Sequence, residues 1–156
     1  MKDFEQLLSK FNSLPTYVIK IGVITANNKR KTVKAQIGLT NAEIMFINEN
    51  GSPLRHIPAR PVLQMTIDWA NKNLLNDTIS KAVDAFISSN FDERAVEREI
   101  EKMCVRMENY ARDLIYSNDG RLAPNAPSTI KRKGDNHPLF DTGQLARSIT
   151  CRLIKS

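Results

Sequence analysis

The sequence predicts one α+β domain, and three observations on its 156 residues support this. Apolar residues repeat at helical spacing over several segments. Two segments near the chain ends, 17–25 and 149–154, are rich in β-branched residues and partly alternate, as strands do. The length suits one hydrophobic core. We therefore expect a single domain over 1–156, with a small β-sheet flanked by two long amphipathic helices. The domain is expected to consist of an N-terminal helix (1–14), a body of sheet and helices (15–116), an extended arm (117–141) and a C-terminal helix and strand (142–156).

The first elements are a short helix and a strand. Apolar residues at positions 4, 7, 8 and 11 follow helical spacing, and Leu14-Pro15 ends the helix. The strand over 17–25 contains Gly22, which indicates a bulge or a close backbone approach. A loop without acidic residues follows, and its basic residues are candidates for a surface facing DNA or a partner: Lys29, Arg30, Lys31 and Lys34. The alternative is a solvated loop.

A capping box predicts where the next helix begins. Thr40 and Glu43 have the spacing at which each side chain bonds the other's backbone N–H, so a helix through Asn48 is expected. Gly51 is its stop signal. Three prolines within nine residues then predict a stiff extended link, and the last of them, Pro61, suits the first turn of a new helix.

Two long helices are expected next. The first, over about 61–89, carries one drifting apolar stripe, with a break at 76–78 as an alternative: Leu63, Ile67, Ala70, Leu74, Ile79, Val83 and Phe86. The second, over 93–116 and capped by Asn90 or Asp92, has the most regular pattern. Counting Asp92, it contains seven acidic and five basic residues. Mixed-charge outer faces are therefore expected, and their acidic residues would oppose docking of a polyanion.

The C-terminal quarter begins with a long connection. Asn118-Asp119-Gly120 ends the second long helix, and residues 121–138 form an arm with one helical turn at 128–133. Asp141 is predicted to cap a last short helix, and a terminal strand follows it. An unsupported arm of this length costs backbone entropy, which burial against a neighbouring molecule would offset.

No motif in the sequence indicates catalysis. A phosphate-binding loop, a dinucleotide fingerprint and a nucleophile elbow are all absent. Cys104 lies in an apolar helical stripe and is expected to be a buried thiol, while His56 between Arg55 and prolines is expected to be a linker residue. Two cysteines and two histidines offer no zinc-ligand spacing. We expect no enzyme activity, no metal and no cofactor.

The composition argues against a disordered chain and against a membrane-spanning one. The chain is 26% charged and 41% hydrophobic, which argues against disorder, and no apolar run reaches the roughly 18 residues of a membrane span. The N-terminus lacks the order of a signal peptide, so we expect a protein made and kept in the cytoplasm. A net charge of +6 permits contact with nucleic acid without requiring it.

Two stretches resemble a known family. NENGSP at 48–53 with IPARPVL at 57–63 resembles the family pattern NE-x-G … IP-x-RPF-L. APSTIKRKG at 126–134 with PLFDTGQLARSI at 138–149 resembles its ending, SP-x-TI-x-x-KG … PL-x-DTG-x-L-x-x-SI. These are patterns of the neck or tail-completion proteins of tailed bacteriophages, virion-morphogenesis proteins that also occur in prophages. The resemblance covers roughly residues 17–155, and the ending is its more specific half.

The resemblance implies a non-enzymatic virion protein. Family members form rings, commonly of six subunits, at the head–tail junction, where they complete the neck or tail and let DNA pass. Implied partners are further copies of the chain, connector, adaptor or stopper proteins and tail-tube proteins, with transient, sequence-independent DNA contact and no membrane. Assembly in the cytoplasm of a host bacterium and location in the virion follow. The alternative is a basic nucleic-acid-binding or regulatory protein.

The signature positions are expected to maintain the fold, with direct subunit contact as the alternative. They are Asn48, Glu49, Gly51, Pro58, Arg60, Pro61, Lys133, Gly134, Asp141, Thr142, Gly143, Leu145 and Ser148. Arg60 is expected to pair with an acidic group. The arm supplies the candidate interface residues: Pro124, Pro127, Ile130, Leu139 and Phe140.

Overall fold

The computed structural model describes residues 2–24 and 38–156, and it has the predicted α+β class. Within those ranges seven α-helices surround a two-stranded antiparallel sheet. The helices are α1 (Lys2–Asn12), α2 (Asn41–Asn50), α3 (Val62–Asn73), α4 (Leu75–Ser88), α5 (Glu93–Tyr116), α6 (Pro127–Lys133) and α7 (Gln144–Ser148). The strands are β1 (Tyr17–Val23) and β2 (Ile149–Lys155).

The sheet joins the two ends of the chain. In its antiparallel register Tyr17 lies opposite Lys155, and Val23 lies opposite Ile149. Thr16 and Ser156 extend the pairing, since each backbone N–H donates to the other's carbonyl oxygen. Closing a loop of this length costs entropy, so the sheet depends on the helices packed against it.

The predicted helix over 61–89 is two helices, and the predicted position of the break was wrong. The chain turns at Leu74, where φ is −118° and ψ is −34°. Leu74 is almost completely buried at this corner, in the cluster that contains Met103 and Met107. Burial of one leucine at the junction, rather than the polar run at 76–78, therefore sets the break.

The apolar stripe predicted along these two helices is only partly buried. Ala70, Leu74 and Phe86 are buried, but the side chains of Ile79 and Val83 are exposed. Because the helix axis changes at Leu74, the residues that face the core after the turn do not continue the spacing set before it.

Helix α5 confirms the prediction for 93–116 and forms a wall of each apolar cluster in the described residues. The Asp92 side chain caps it by accepting from the Arg94 N–H. Its buried residues are divided among the three clusters: Val96 in the first, Met103, Cys104 and Met107 in the second, and Ala111, Leu114 and Ile115 in the third.

Polar contacts hold α5 against β2. One carboxylate oxygen of Glu108 accepts the Cys151 N–H at 2.7 Å, and the other accepts from Arg112 at 3.0 Å. The same Arg112 nitrogen donates to the Ile149 carbonyl at 2.9 Å. These bonds satisfy the free edge of β2 where it lies on the helix.

The predicted capping box and stop signal of α2 are confirmed. The Thr40 side chain accepts from the Glu43 N–H, and the Glu43 carboxylate accepts from the Thr40 N–H. Gly51 follows the helix with a φ of 71°. A Cβ atom at Gly51 would lie 2.8 Å from the Ala59 backbone nitrogen and 2.9 Å from the Ile57 carbonyl oxygen. Only glycine fits this position.

Substitution of Gly51 tests this close approach. Gly134 has a similar φ of 76° but open space around it, so Gly134→Ala costs only the strain of a left-handed backbone, about 1–2 kcal/mol. Gly51→Ala adds overlap with backbone atoms and should lower the free energy of unfolding by about 1–3 kcal/mol more. Urea denaturation measures both variants. Equal costs would show that the surrounding link gives way.

Candidate subunit-contact surface

Arg60 is the centre of the first signature stretch. It is 6% exposed, and its guanidinium donates to the carbonyl oxygens of Ala123 at 2.7 Å and Pro124 at 2.6 Å. A third bond reaches Asn48 Oδ1 at 3.2 Å. The predicted pairing of Arg60 with an acidic group was therefore wrong, because main-chain oxygens of the arm take that place. Burial lowers the pKa of Arg60.

The neighbouring signature residues also serve the fold. The Glu49 carboxylate accepts the backbone N–H groups of Leu63 at 3.0 Å and Gln64 at 2.8 Å, so it satisfies the open N-terminus of α3. Pro61 stands at the N-cap position, directly before the first helical residue. Pro58 is exposed in the link.

Lys133 closes the other end of the arm. Its ammonium donates to the carbonyl oxygens of His137 and Phe140, and burial is the main cause that lowers its pKa. Gly134 ends α6 in the left-handed conformation. His137 Nε2 lies 2.6 Å from the Ile115 carbonyl oxygen, which ties this turn to α5.

Asp141 in the DTG segment was predicted to cap the last helix, but it does not occupy the N-cap position. Helix α7 begins at Gln144, and Gly143 occupies the N-cap position with a φ of 72°. The Thr142 carbonyl accepts from Arg147 at 2.8 Å, so the segment turns back along the helix. Later in α7, Leu145 is buried, and its carbonyl accepts from the buried Ser148 hydroxyl at 2.7 Å.

The arm over 117–141 is supported by its own chain. Leu122 is buried in the apolar cluster that contains Leu114 and Ile115, and Leu139 and Phe140 pack against that cluster. The expectation of an unsupported segment was therefore wrong, and so was the entropy argument built on it. Pro124 and Pro127 are exposed and Ile130 is half-buried. Contact of these arm residues with a neighbouring subunit stays a prediction.

An exposed apolar row lies along α4, and its exposure was not predicted from the sequence. Leu75, Ile79, Val83 and Ile87, here called the α4 row, follow each other at intervals of four residues. Their exposure lies between 37% and 52%. Contiguous apolar surface of this kind is typical of contact sites. Although the spacing was visible in the sequence, periodicity does not tell a buried stripe from an uncovered one.

A groove adjoins the α4 row at Leu75. It lies between β1 and the helices α3, α4 and α5, has a volume of about 510 Å³, and is lined mainly by apolar side chains. The principal ones are Ile19, Ile21, Ile67, Leu75, Met103 and Met107. The apolar surface thus continues from α4 toward β1.

Two more apolar side chains are strongly exposed on other elements. Phe46 on α2 is 70% exposed, and Leu54 in the short 3₁₀ turn over Pro53–Arg55 is 97% exposed. The loop that carries Leu54 is closed by backbone bonds between Ser52 and Ile57 in both directions, at 2.8 and 3.0 Å. We call Phe46 and Leu54 the α2 patch. An ordered loop therefore holds a leucine almost fully in solvent.

Other chemically versatile side chains are dispersed. Among residues 2–24 and 38–156, no three His, Cys, Asp or Glu side chains converge as metal ligands would. Cys104 and Cys151 are buried free thiols that share a hydrogen bond, which lowers the pKa of Cys104 and raises that of Cys151. His56 is exposed in the link. The predicted basic loop with Lys29, Arg30, Lys31 and Lys34 lies outside the described residues.

Comparison of the chain with known proteins found no relative: no family model, curated protein or solved structure matches it. In the part of the chain that the structure describes, no helix has the length and apolar character needed to span a bilayer.

Replacement of Arg60 tests the clamp on the arm. Arg60→Lys keeps the charge but loses the planar fork, so the partly buried carbonyl oxygens of Ala123 and Pro124 lose donors and the free energy of unfolding should fall by about 1–3 kcal/mol. Hydrogen exchange at residues 121–126 should accelerate. The exposed Arg55→Lys change should stay within about 0.5 kcal/mol. Unchanged exchange in the Arg60 variant would contradict the clamp.

Proposed function

We propose that this chain is a structural protein of a tailed phage or prophage, assembling into a homo-oligomeric ring, with six copies the implied number, at the head–tail junction. Such a ring completes the neck or tail and lets DNA pass. One observation carries the assembly: among the described residues, apolar side chains are left uncovered on different elements, including the α4 row and the α2 patch. The two signature stretches supply the link to phage neck and tail-completion proteins.

Two different surfaces are what a ring requires. In a closed ring each subunit contacts the next through a head-to-tail interface, so one surface must fit another that lies elsewhere on the same chain. The α4 row is a long, shallow apolar strip, and the α2 patch offers two projecting side chains. In the proposed ring, Phe46 and Leu54 of one subunit pack on the α4 row of the next.

The signature residues support this arrangement indirectly. Gly51 allows the close approach behind the loop, and Asn48 and Arg60 fix the link to the arm. The loop between them therefore presents Leu54 on a rigid base. Burial of a leucine side chain contributes about 1.5–3 kcal/mol, and little conformational freedom remains to be lost on contact. The motifs build the scaffold, while the contacts come from residues outside them.

A mixing experiment tests the ring interface. The double variant Ile79→Asp/Val83→Asp places charges in the α4 row, and Leu54→Asp places one in the α2 patch. Each variant alone should be monomeric by native mass spectrometry, because a buried unpaired carboxylate is costly. Mixed together, they should form a one-to-one dimer, since each still has one intact surface.

Matched controls separate contact from charge. Ser80→Asp/Ser88→Asp adds the same two charges to exposed positions of α4 outside the row, and this variant should assemble like the original chain. Circular dichroism should show equal helix content for all variants. Assembly that persists in both disrupted variants, or failure of the mixture to form a dimer, would overturn the proposed interface.

The phage role has its own test. Negative-stain images of the purified chain should show rings, and the chain should associate with connector or tail-tube proteins expressed beside it. A strict monomer that also fails to associate with such partners would contradict the proposal, whatever the result of the mixing experiment.

A further inference from the structure

The outer face of α5 carries a line of positive charge. Arg94, Arg98, Lys102 and Arg106, here called the α5 basic row, stand four residues apart and are all exposed. Over these 12 residue steps the helix rises about 18 Å. Successive members are displaced by about 40° around the axis, so they form a single oblique row on the side away from the core.

Most acidic residues of α5 lie outside this row, and their carboxylates bind other groups of the protein. Glu93 and Glu97 accept the Lys155 ammonium at 3.0 and 2.7 Å, at the end of β2. Glu108 binds the β2 backbone and Arg112. The Glu97 and Glu108 side chains are 23% and 20% exposed, against 68% for Lys102.

Two acidic residues border the row directly. Glu99 bonds Lys102 at 2.5 Å and is only 17% exposed, and Glu101 is exposed beside the row. The solvent-facing positions of 94–106 therefore hold four cations and one open carboxylate. The count of seven acidic against five basic residues, on which the expectation that α5 opposes a polyanion was based, does not separate the outer face from the rest of the helix.

We propose that the α5 basic row binds the phosphate backbone of duplex nucleic acid without reading its bases. Three of the four cations are arginines, whose planar guanidinium can hold a phosphate with two hydrogen bonds. Phosphates of one strand are spaced about 3.4 Å apart along the duplex axis, so several of them lie within reach of an 18 Å row. The row is rigid, because the opposite face of α5 is fixed in the core.

Backbone contact rather than base recognition is favoured by the composition of the row. Its cations match phosphates, which occur at every step of the duplex, and the exposed positions of 94–106 hold no Asn or Gln to pair with adenine. Binding through phosphates alone is weak and insensitive to sequence. This proposal does not depend on ring formation, because it uses a surface that is separate from the α4 row and the α2 patch.

Charge-matched variants test the row. In the first, Arg94, Arg98 and Arg106 are changed to glutamine, which keeps helix propensity. In the second, the exposed Lys72, Lys131 and Arg132 are changed to glutamine, which removes the same charge from other surfaces. A third, with Arg94, Arg98 and Arg106 changed to lysine, retains the charge of the row. The probe is a fluorescent 20-base-pair DNA duplex, and anisotropy is measured from 50 to 200 mM salt.

The expected readout is the salt dependence of binding. Each lost phosphate contact reduces the slope of log affinity against log salt by about 0.9. The first variant should lose about 2–3 from this slope and bind at least about tenfold more weakly at 50 mM salt. The second should keep the slope to within about 1, and the lysine variant should keep most of it. Two duplexes of unrelated sequence should bind about equally well.

Four results would overturn the proposal. The first is that the unchanged chain binds no duplex at 50 mM salt, and the second is that the control variant loses as much slope as the row variant. The third is a preference of more than about tenfold for one duplex. The fourth is a row variant that loses assembly by native mass spectrometry while keeping its DNA affinity. The last result would assign the row to an acidic protein surface instead. Circular dichroism of the three variants excludes unfolding as the cause.

Discussion

Burial of one face of α5 is the constraint on which the rest of the structure depends. This helix supplies eight buried residues and contributes to all three apolar clusters, so the sheet, the α3–α4 pair and α7 are each placed by contact with it. Side chains such as Leu114 and Met107 contribute about 1.5–3 kcal/mol each on burial. Because that face is committed to the core, the opposite face is left to solvent, and the charges there become available to a partner.

Polar clamps give the irregular segments their positions. Arg60 and Lys133 each bind two carbonyl oxygens of the arm, and His137 binds a carbonyl of α5. The N–H and C=O groups of a long connection would otherwise need hydrogen bonds to water. The bonds from these side chains replace water, so the arm can pack against the rest of the domain with little loss of free energy. The motif residues are therefore used to hold the chain in place. Exposed residues outside the motifs, such as Leu54 and Ile79, are the ones that we propose to contact other copies of the chain.

Local signals predicted the local elements well. The capping box at Thr40, the stop at Gly51 and the periodicity of α5 depend on neighbours within a few positions, and each is confirmed. Two of the features that were not predicted depend on distant parts of the chain. Arg60 reaches carbonyls 63 and 64 residues away, which no spacing reveals. The exposure of the α4 row was missed because apolar spacing identifies a stripe but not whether another element of the same chain covers it.

Covalent footprinting of apolar side chains by a photoactivated carbene tests the central claim most directly, because it reports contact in the unmodified chain. Labelling is compared between the assembled protein and the same protein diluted until it dissociates. The account predicts that the α4 row and Leu54 are labelled in the dissociated chain and protected in the assembly, while the exposed Val105 on the outer face of α5 is labelled equally in both. An assembly in which the α4 row and Leu54 remain fully labelled would contradict it.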